Sequence, residues 1–166
     1  LEELEHSKKR GAKIYGEIVG FSSLSDGSHM STPAKEGMAN TMKEALKNAG
    51  LTPKDIDYIN AHATATDTGD VAESEATKEI FGDTTPISAT KSFTGHTLGA
   101  CGVHELIYSL FMLEDNLIYP TINLNEIDPR CDGIKIVTEV TKKDLNFILT
   151  NNFAFGGINT SVVLKK

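Results

Sequence analysis

At 166 residues, with 39% hydrophobic and 23% charged residues and no biased tract, the chain has the composition of one globular domain large enough to bury a real core. Its net charge of −7, relieved only by the local patch Lys8-Lys9-Arg10, excludes a surface built to wrap a nucleic-acid backbone. Two cysteines, Cys101 and Cys131, fall short of a disulfide framework or a zinc site, no apolar stretch reaches bilayer length and no signal peptide opens the chain, so the cytoplasm is the expected location.

The first residues, Leu1 to Gly11, follow helical spacing, acidic early and basic late, and end on glycine. They open partway into a helix and without an initiating Met, which predicts a downstream piece of a longer protein; a trimmed complete domain is the other reading. Ile14 to Phe21 favours a strand, with Gly16 and Gly20 marking bends or close backbone approach. After a polar loop, Ser31 or Thr32 is expected to cap a helix with Pro33 in its first turn. Met38, Ala39, Met42, Ala45, Leu46 and Ala49 form its buried stripe, and Gly50 stops it.

Ile56 to Ala61 reads as a strand that delivers His62 at its C-terminal end. Asp70, three residues before Glu73, has the spacing of a capping box and opens a helix to Phe81. A short strand from Pro86 to Thr90 leads into Lys91. Thr97 to Asp115 begins with small residues and is apolar on more than one face, which predicts a central helix packed between layers. A long loop follows. Ile134 to Val140, Leu145 to Asn151 and Ile158 to Leu164 read as strands, the last two separated by Gly156-Gly157. The predicted class is α/β, a mixed β-sheet covered by helices.

The chemistry concentrates in Asn60-Ala61-His62-Ala63-Thr64-Ala65-Thr66-Asp67-Thr68-Gly69-Asp70 and in Lys91-Ser92-Phe93-Thr94-Gly95-His96. Two imidazoles and one ammonium follow two short strands, where an α/β scaffold holds reactive side chains against a cleft. No nucleophile accompanies them. Cys101 reads as a small core residue and Cys131 belongs to no motif; His6 and His29 lack context, and His104 suits a hydrogen bond within the core. A buried Lys91 needs an acidic partner, and Glu73 is the expected ion-pair partner, while capping accounts for Asp70. No residue set calls for a metal.

His62-Ala63-Thr64-Ala65-Thr66 with Gly69-Asp70, then Lys91 to Ala100, then Asn152-Phe153-Ala154-Phe155-Gly156-Gly157-Ile158-Asn159, resemble three successive motifs of the β-ketoacyl-acyl-carrier-protein synthases, in order and spacing. The resemblance runs from about Ala12 to the C-terminus and is nearest to the bacterial synthase I type. It implies the C-terminal half of a thiolase-like fold, whose nucleophilic cysteine belongs to an N-terminal half absent from this chain. His62 and His96 would donate hydrogen bonds to the enolate left when a malonyl thioester loses carbon dioxide. Lys91 would position and tune them. Thr64 and Thr66 would meet the amides of a pantetheine arm, the competing account being local turn hydrogen bonds. Phe155 would supply an oxyanion-hole N–H and a ring gating the acyl pocket, with Phe153 and Gly156 lining the substrate's path.

Ala63 departs from the family's usual glycine and narrows the permitted backbone angles. The implied activity is condensation in fatty-acid elongation, with no nucleotide or redox cofactor. The implied partners are acyl carrier protein, the N-terminal half and a homodimer mate, with neither nucleic acid nor membrane. The fragment alone is expected to be inactive. The rivals are a non-catalytic chain-length-factor-like or scaffold subunit, whose relatives tend to lose the residues present here as His62, Lys91 and His96, and a polyketide-type condensing domain.

Overall fold

Alternating apolar residues build the two faces of the sheet. Ile59, Leu149 and Val163 are buried toward one side, while their neighbours Tyr58, Ile148 and Leu164 are buried toward the other. That period-two pattern on both faces requires cover on both. In the computed structural model, which describes residues 1–166, the cover comes from helices.

The main sheet has six strands: β1 (Glu17–Ser25), β2 (Tyr58–Asn60), β3 (Pro86–Ser88), β5 (Lys135–Ile136), β7 (Phe147–Ala154) and β8 (Ile158–Lys165), in the order β1-β8-β7-β2-β3-β5. β1, β8 and β7 are antiparallel neighbours, whereas β7, β2, β3 and β5 run parallel. A separate antiparallel pair joins β4 (Leu117–Ile118) to β6 (Thr141–Lys142). The expected α/β class and mixed sheet are therefore present.

On one face lie α2 (Lys35–Ala49) and α3 (Gly69–Phe81), whose Met38, Met42, Ala72 and Ala76 join the core over Ile59 and Leu149. Gly20 of β1 lets α2 sit close, because a Cβ there would stand 2.6 Å from the Ala49 Cβ and 2.7 Å from the Ala45 carbonyl oxygen. The opposite face is covered by α5 (Cys101–Asp115), with Met112 and Leu113 against Tyr58 and Ile148. A short α1 (Leu4–Lys9) precedes the sheet, and the single turn α4 (Lys91–Thr94) follows β3.

Several boundaries differ from expectation for local reasons. The loop before α2 folds around His29, whose Nδ1 accepts from the N–H groups of Ser31 and Thr32. Ser31 and Thr32 are thereby held in that loop and neither caps the helix; α2 begins only after Ala34, with no side-chain cap. β1 starts later and runs on to Ser25, because its ladder with β8 continues to the Ser25–Ile158 pair. The segment expected as one strand from Ile134 to Val140 is broken: β5 pairs with β3, and the chain then crosses to pair β6 with β4.

The helix expected between two layers has only one in this chain. Val103, Ile107 and Phe111, four residues apart along α5, are 59%, 41% and 47% exposed and form a continuous apolar stripe. No helix is long and apolar enough to cross a membrane.

Candidate active site

Three adjacent parallel strands deliver the candidate residues to one edge. β2 ends at Asn60, two residues before His62; β3 ends at Ser88, three before Lys91; β7 carries Asn152, Phe153 and Ala154 at its own end. Residues beyond the carboxyl ends of neighbouring parallel strands converge on a common crevice. The His62 and His96 rings stand 5.3 Å apart at 89°, edge to face, and the buried Phe153 ring packs on His62 at 6.1 Å.

The Lys91 ammonium lies 3.3 Å from His62 Nδ1. An ammonium has no lone pair, so Nδ1 must accept and the neutral ring carries its proton on Nε2. Burial first, then the positive charges of Lys91 and His96, hold the His62 pKa down at about 3. Across ordinary pH the ring is therefore a neutral Nε2–H donor. His96 reaches the same state differently: its Nδ1 accepts the Leu98 N–H at 3.3 Å, and burial with Lys91 nearby lowers its pKa too. Two neutral imidazoles thus present one N–H donor each, and neither carries the second, acidic proton of an imidazolium.

Glu73 is not the ion-pair partner of Lys91. Lys91 instead binds Glu105 of α5, a pair whose side chains are 5% and 2% exposed. Glu73 is spent on the backbone, accepting from the N–H of His62 at 2.9 Å and of Ala63 at 2.8 Å. The expected capping box is absent for the same reason; Thr68 is the N-cap of α3, and Asp70 accepts from the Ala65 N–H at 3.1 Å. Two carboxylates at the start of α3 therefore fasten the loop that follows His62.

That loop needs fastening. Ala63 has φ +26° and Ala65 φ +59°, and Leu98, beside His96, has φ +53°. Left-handed backbone at non-glycine residues costs of order 1–2 kcal/mol each, and here it flanks both histidines. The Thr64 and Thr66 hydroxyls are 3.1 Å apart and bond each other. Phe155 is 79% exposed on the turn between β7 and β8, where Gly156 adopts φ +81°. A cavity of about 300 Å³ lies behind the loop, walled by Ala61, Ala63, Val71, Leu124 and Ile134, but neither His62, Lys91 nor His96 lines it.

Glu105 and Asn152 were missed in the sequence. Glu105 is the lone carboxylate in the largely apolar stretch from Val103 to Leu113, one helical turn after Cys101, and that isolation is its signal. Asn152, which opens the third motif with no role assigned to it, donates to Glu105 at 3.0 Å from near the end of β7. Cys101 is buried, as a core residue should be, and His104 is half-buried with its Nδ1 3.2 Å from the Thr97 hydroxyl.

The family profile described as Beta-ketoacyl synthase, C-terminal domain, matches residues 15–125. The chain belongs to the β-ketoacyl synthase family. It is 51% identical over its whole length to 3-oxoacyl-[acyl-carrier-protein] synthase 1 of Escherichia coli, of which it spans 40%. A β-ketoacyl synthase crystal structure from Burkholderia phymatum superimposes with a TM-score of 0.97 at 49% identity, covering 99% of this chain and 41% of that one. A type II polyketide ketosynthase, solved with its acyl carrier protein and bound to a hexaketide, matches with a TM-score of 0.92 at 34% identity over 99% of this chain and 41% of its own. The thiolase-like ketosynthase fold expected from the three motifs is thus the fold observed. This β-ketoacyl synthase domain spans about two-fifths of the length of the relatives it matches.

Proposed function

We propose that this chain is the C-terminal part of a 3-oxoacyl-[acyl-carrier-protein] synthase that condenses a malonyl thioester with an enzyme-bound acyl group in fatty-acid elongation. The observation that carries the reading is the pair of neutral imidazoles at one sheet edge, each with its proton on Nε2 and His62 fixed by Lys91. Decarboxylation breaks the bond to the malonyl carboxylate, releases carbon dioxide and leaves the electron pair on the thioester enolate. Two N–H donors stabilise that oxygen as its charge develops, without giving up a proton that would quench the carbanion. The carbanion then attacks the acyl thioester, forms the new carbon–carbon bond and expels the thiolate.

The acyl-bearing cysteine belongs to an upstream half of the same enzyme in this reading. The exposed stripe of Val103, Ile107 and Phe111 supports it, since an apolar helix face of this kind is normally covered. The backbone N–H of Phe155 completes an oxyanion hole for the acyl thioester, its ring gates the acyl pocket, and Thr64 and Thr66 receive the pantetheine amides, with Phe153 and Gly156 along the path. Acyl carrier protein is the partner that presents both thioesters, a reading supported by the carrier protein in complex with its ketosynthase in the structure named above. A cytoplasmic homodimer, with no nucleotide or redox cofactor, completes the proposal.

The test is condensation by the full-length protein with malonyl- and acyl-carrier protein. His62→Ala and His96→Ala should each lower malonyl decarboxylation by about 10²–10³-fold, the cost of one lost oxyanion donor. Unchanged decarboxylation in either variant removes that residue from the role. The 166-residue chain alone should show no condensation.

A further inference from the structure

The Asn152 side chain lies within hydrogen-bonding reach of His62 itself, and it also closes a part-buried run of contacts that reaches the same ring through Glu105 and Lys91. Its Nδ2 donates to Glu105 Oε2 at 3.0 Å, and its Oδ1 accepts from the Cys101 thiol at 2.9 Å. Glu105 is 1% exposed; its other oxygen, Oε1, binds the Lys91 ammonium, which reaches His62 Nδ1 at 3.3 Å. A carboxylate only accepts, so the amide must turn its N–H toward Glu105, and the S–H donated to Oδ1 favours that orientation over the flipped one.

We propose that Asn152, oriented by Cys101, is a positioning residue that keeps Glu105 ionised and thereby keeps Lys91 directed at His62 Nδ1. Four elements separate in the sequence, α5, β7, α4 and the loop after β2, are joined through these five side chains. Both oxygens of a buried carboxylate need partners, and the Asn152 amide is the second one. Burial pushes Glu105 toward its neutral form, while Lys91 and then Asn152 hold it down. Around it, Lys91 projects from α4, Tyr58 from β2, and His104 and Cys101 from its own helix. Burial pushes Tyr58 well above the usual phenol range, so it stays neutral and adds no competing charge. Without the amide, Oε2 is orphaned and Glu105 takes up a proton at higher pH. A neutral Glu105 leaves the Lys91 ammonium buried without a counter-charge, and His62 Nδ1 loses the donor that fixes its tautomer.

The test uses the full-length protein with Asn152→Leu, similar in size but unable to hydrogen bond, and Asn152→Asp, which keeps the shape and turns the donor into an acceptor. One readout, the acid limb of kcat for malonyl decarboxylation, rests on the proposed function; the other, the nitrogen NMR spectrum of the His62 ring, does not. Both variants should move the acid limb upward by about one pH unit, the Asp variant further, because each removes an interaction that favours ionised Glu105. kcat should fall roughly tenfold with KM for the malonyl thioester within about twofold, the pattern of lost alignment rather than lost binding. His62 should no longer show a single Nε2–H tautomer. Cys101→Ala should shift the limb in the same direction by less, and Cys101→Ser, which keeps a donor, should return it toward wild type. A wild-type limb and wild-type ring spectrum in the Asn152 variants would overturn the proposal. If neither of those variants folds, the same two measurements on Cys101→Ala decide it. A wild-type protein without decarboxylation would sink the functional reading alone, and the ring spectrum would still decide this one.

Discussion

Glu73 holds the backbone N–H of His62 at 2.9 Å, and with its second oxygen the N–H of Ala63 at 2.8 Å. Glu73 is 4% exposed and reaches these groups from the second turn of α3. Glu73→Ala orphans two donors at once and should destabilise the protein by about 2–4 kcal/mol, roughly one unsatisfied buried group for each N–H. Glu73→Gln keeps one acceptor and should cost about half as much. Urea unfolding of both variants measures this, and equal losses would show that the two N–H groups are not held separately.

His62 and Glu73 push the pH dependence of stability in opposite directions. With His62 lowered from 6.5 to about 3, the unfolded chain binds a proton across that window that the native state does not, so stability rises with pH there. Burial raises Glu73 from 4.5 to about 7, so between those values the native state holds a proton the unfolded chain has lost, and stability falls as pH rises. Between about pH 4.5 and 6.5 the two slopes cancel, each being worth up to about 1.4 kcal/mol per pH unit. His62→Gln should therefore expose a falling slope in that window and Glu73→Gln a rising one, read from urea midpoints at several pH values. Parallel profiles for the two variants would contradict the opposed burial of these groups.

Much of this was legible in the sequence because short-range patterns carry it. The strand before His62, the glycine stop of α2 and the hairpin at Gly156-Gly157 are local, and Gly20 announced a close approach that α2 makes. The three motifs lie where the pattern of strands suggested, His62 and Lys91 just beyond the ends of β2 and β3 and Phe155 between β7 and β8, although Lys91 starts the helical turn α4 rather than a loop. What could not be read was pairing across the sheet. Lys91 pairs with Glu105, 14 positions away on α5, while Glu73 turns one oxygen to each of two backbone donors, a division that depends on the placement of α5 and that no local spacing contains. The late start of α2 had the same kind of cause, a loop closed on His29 that no spacing rule contains.

The Lys91–Glu105 pair should behave as a buried ion pair does when it is broken from one side. Lys91→Met leaves an uncompensated carboxylate, and Glu105→Leu an uncompensated ammonium, each expected to cost about 3–5 kcal/mol. The double variant replaces both charges with apolar groups of similar size and should cost less than either single change. A thermodynamic cycle from urea unfolding gives the coupling. Additive losses would mean that the two charges do not depend on each other.

Ala65, at φ +59° on an exposed stretch of the loop after His62, pays a steric cost that glycine would not. Ala65→Gly relieves about 1–2 kcal/mol of backbone strain but frees the unfolded chain by about 0.4–1 kcal/mol, so a net gain between about 0 and 1.6 kcal/mol is expected. The contrast is Ala49→Gly in the last turn of α2, where the backbone is already helical and glycine should lose roughly 0.5–1 kcal/mol. Thermal melting of the two variants should therefore move in opposite directions. A loss of stability in Ala65→Gly would mean that Asp70, which accepts from the Ala65 N–H at 3.1 Å, needs the methyl group to hold that turn in place.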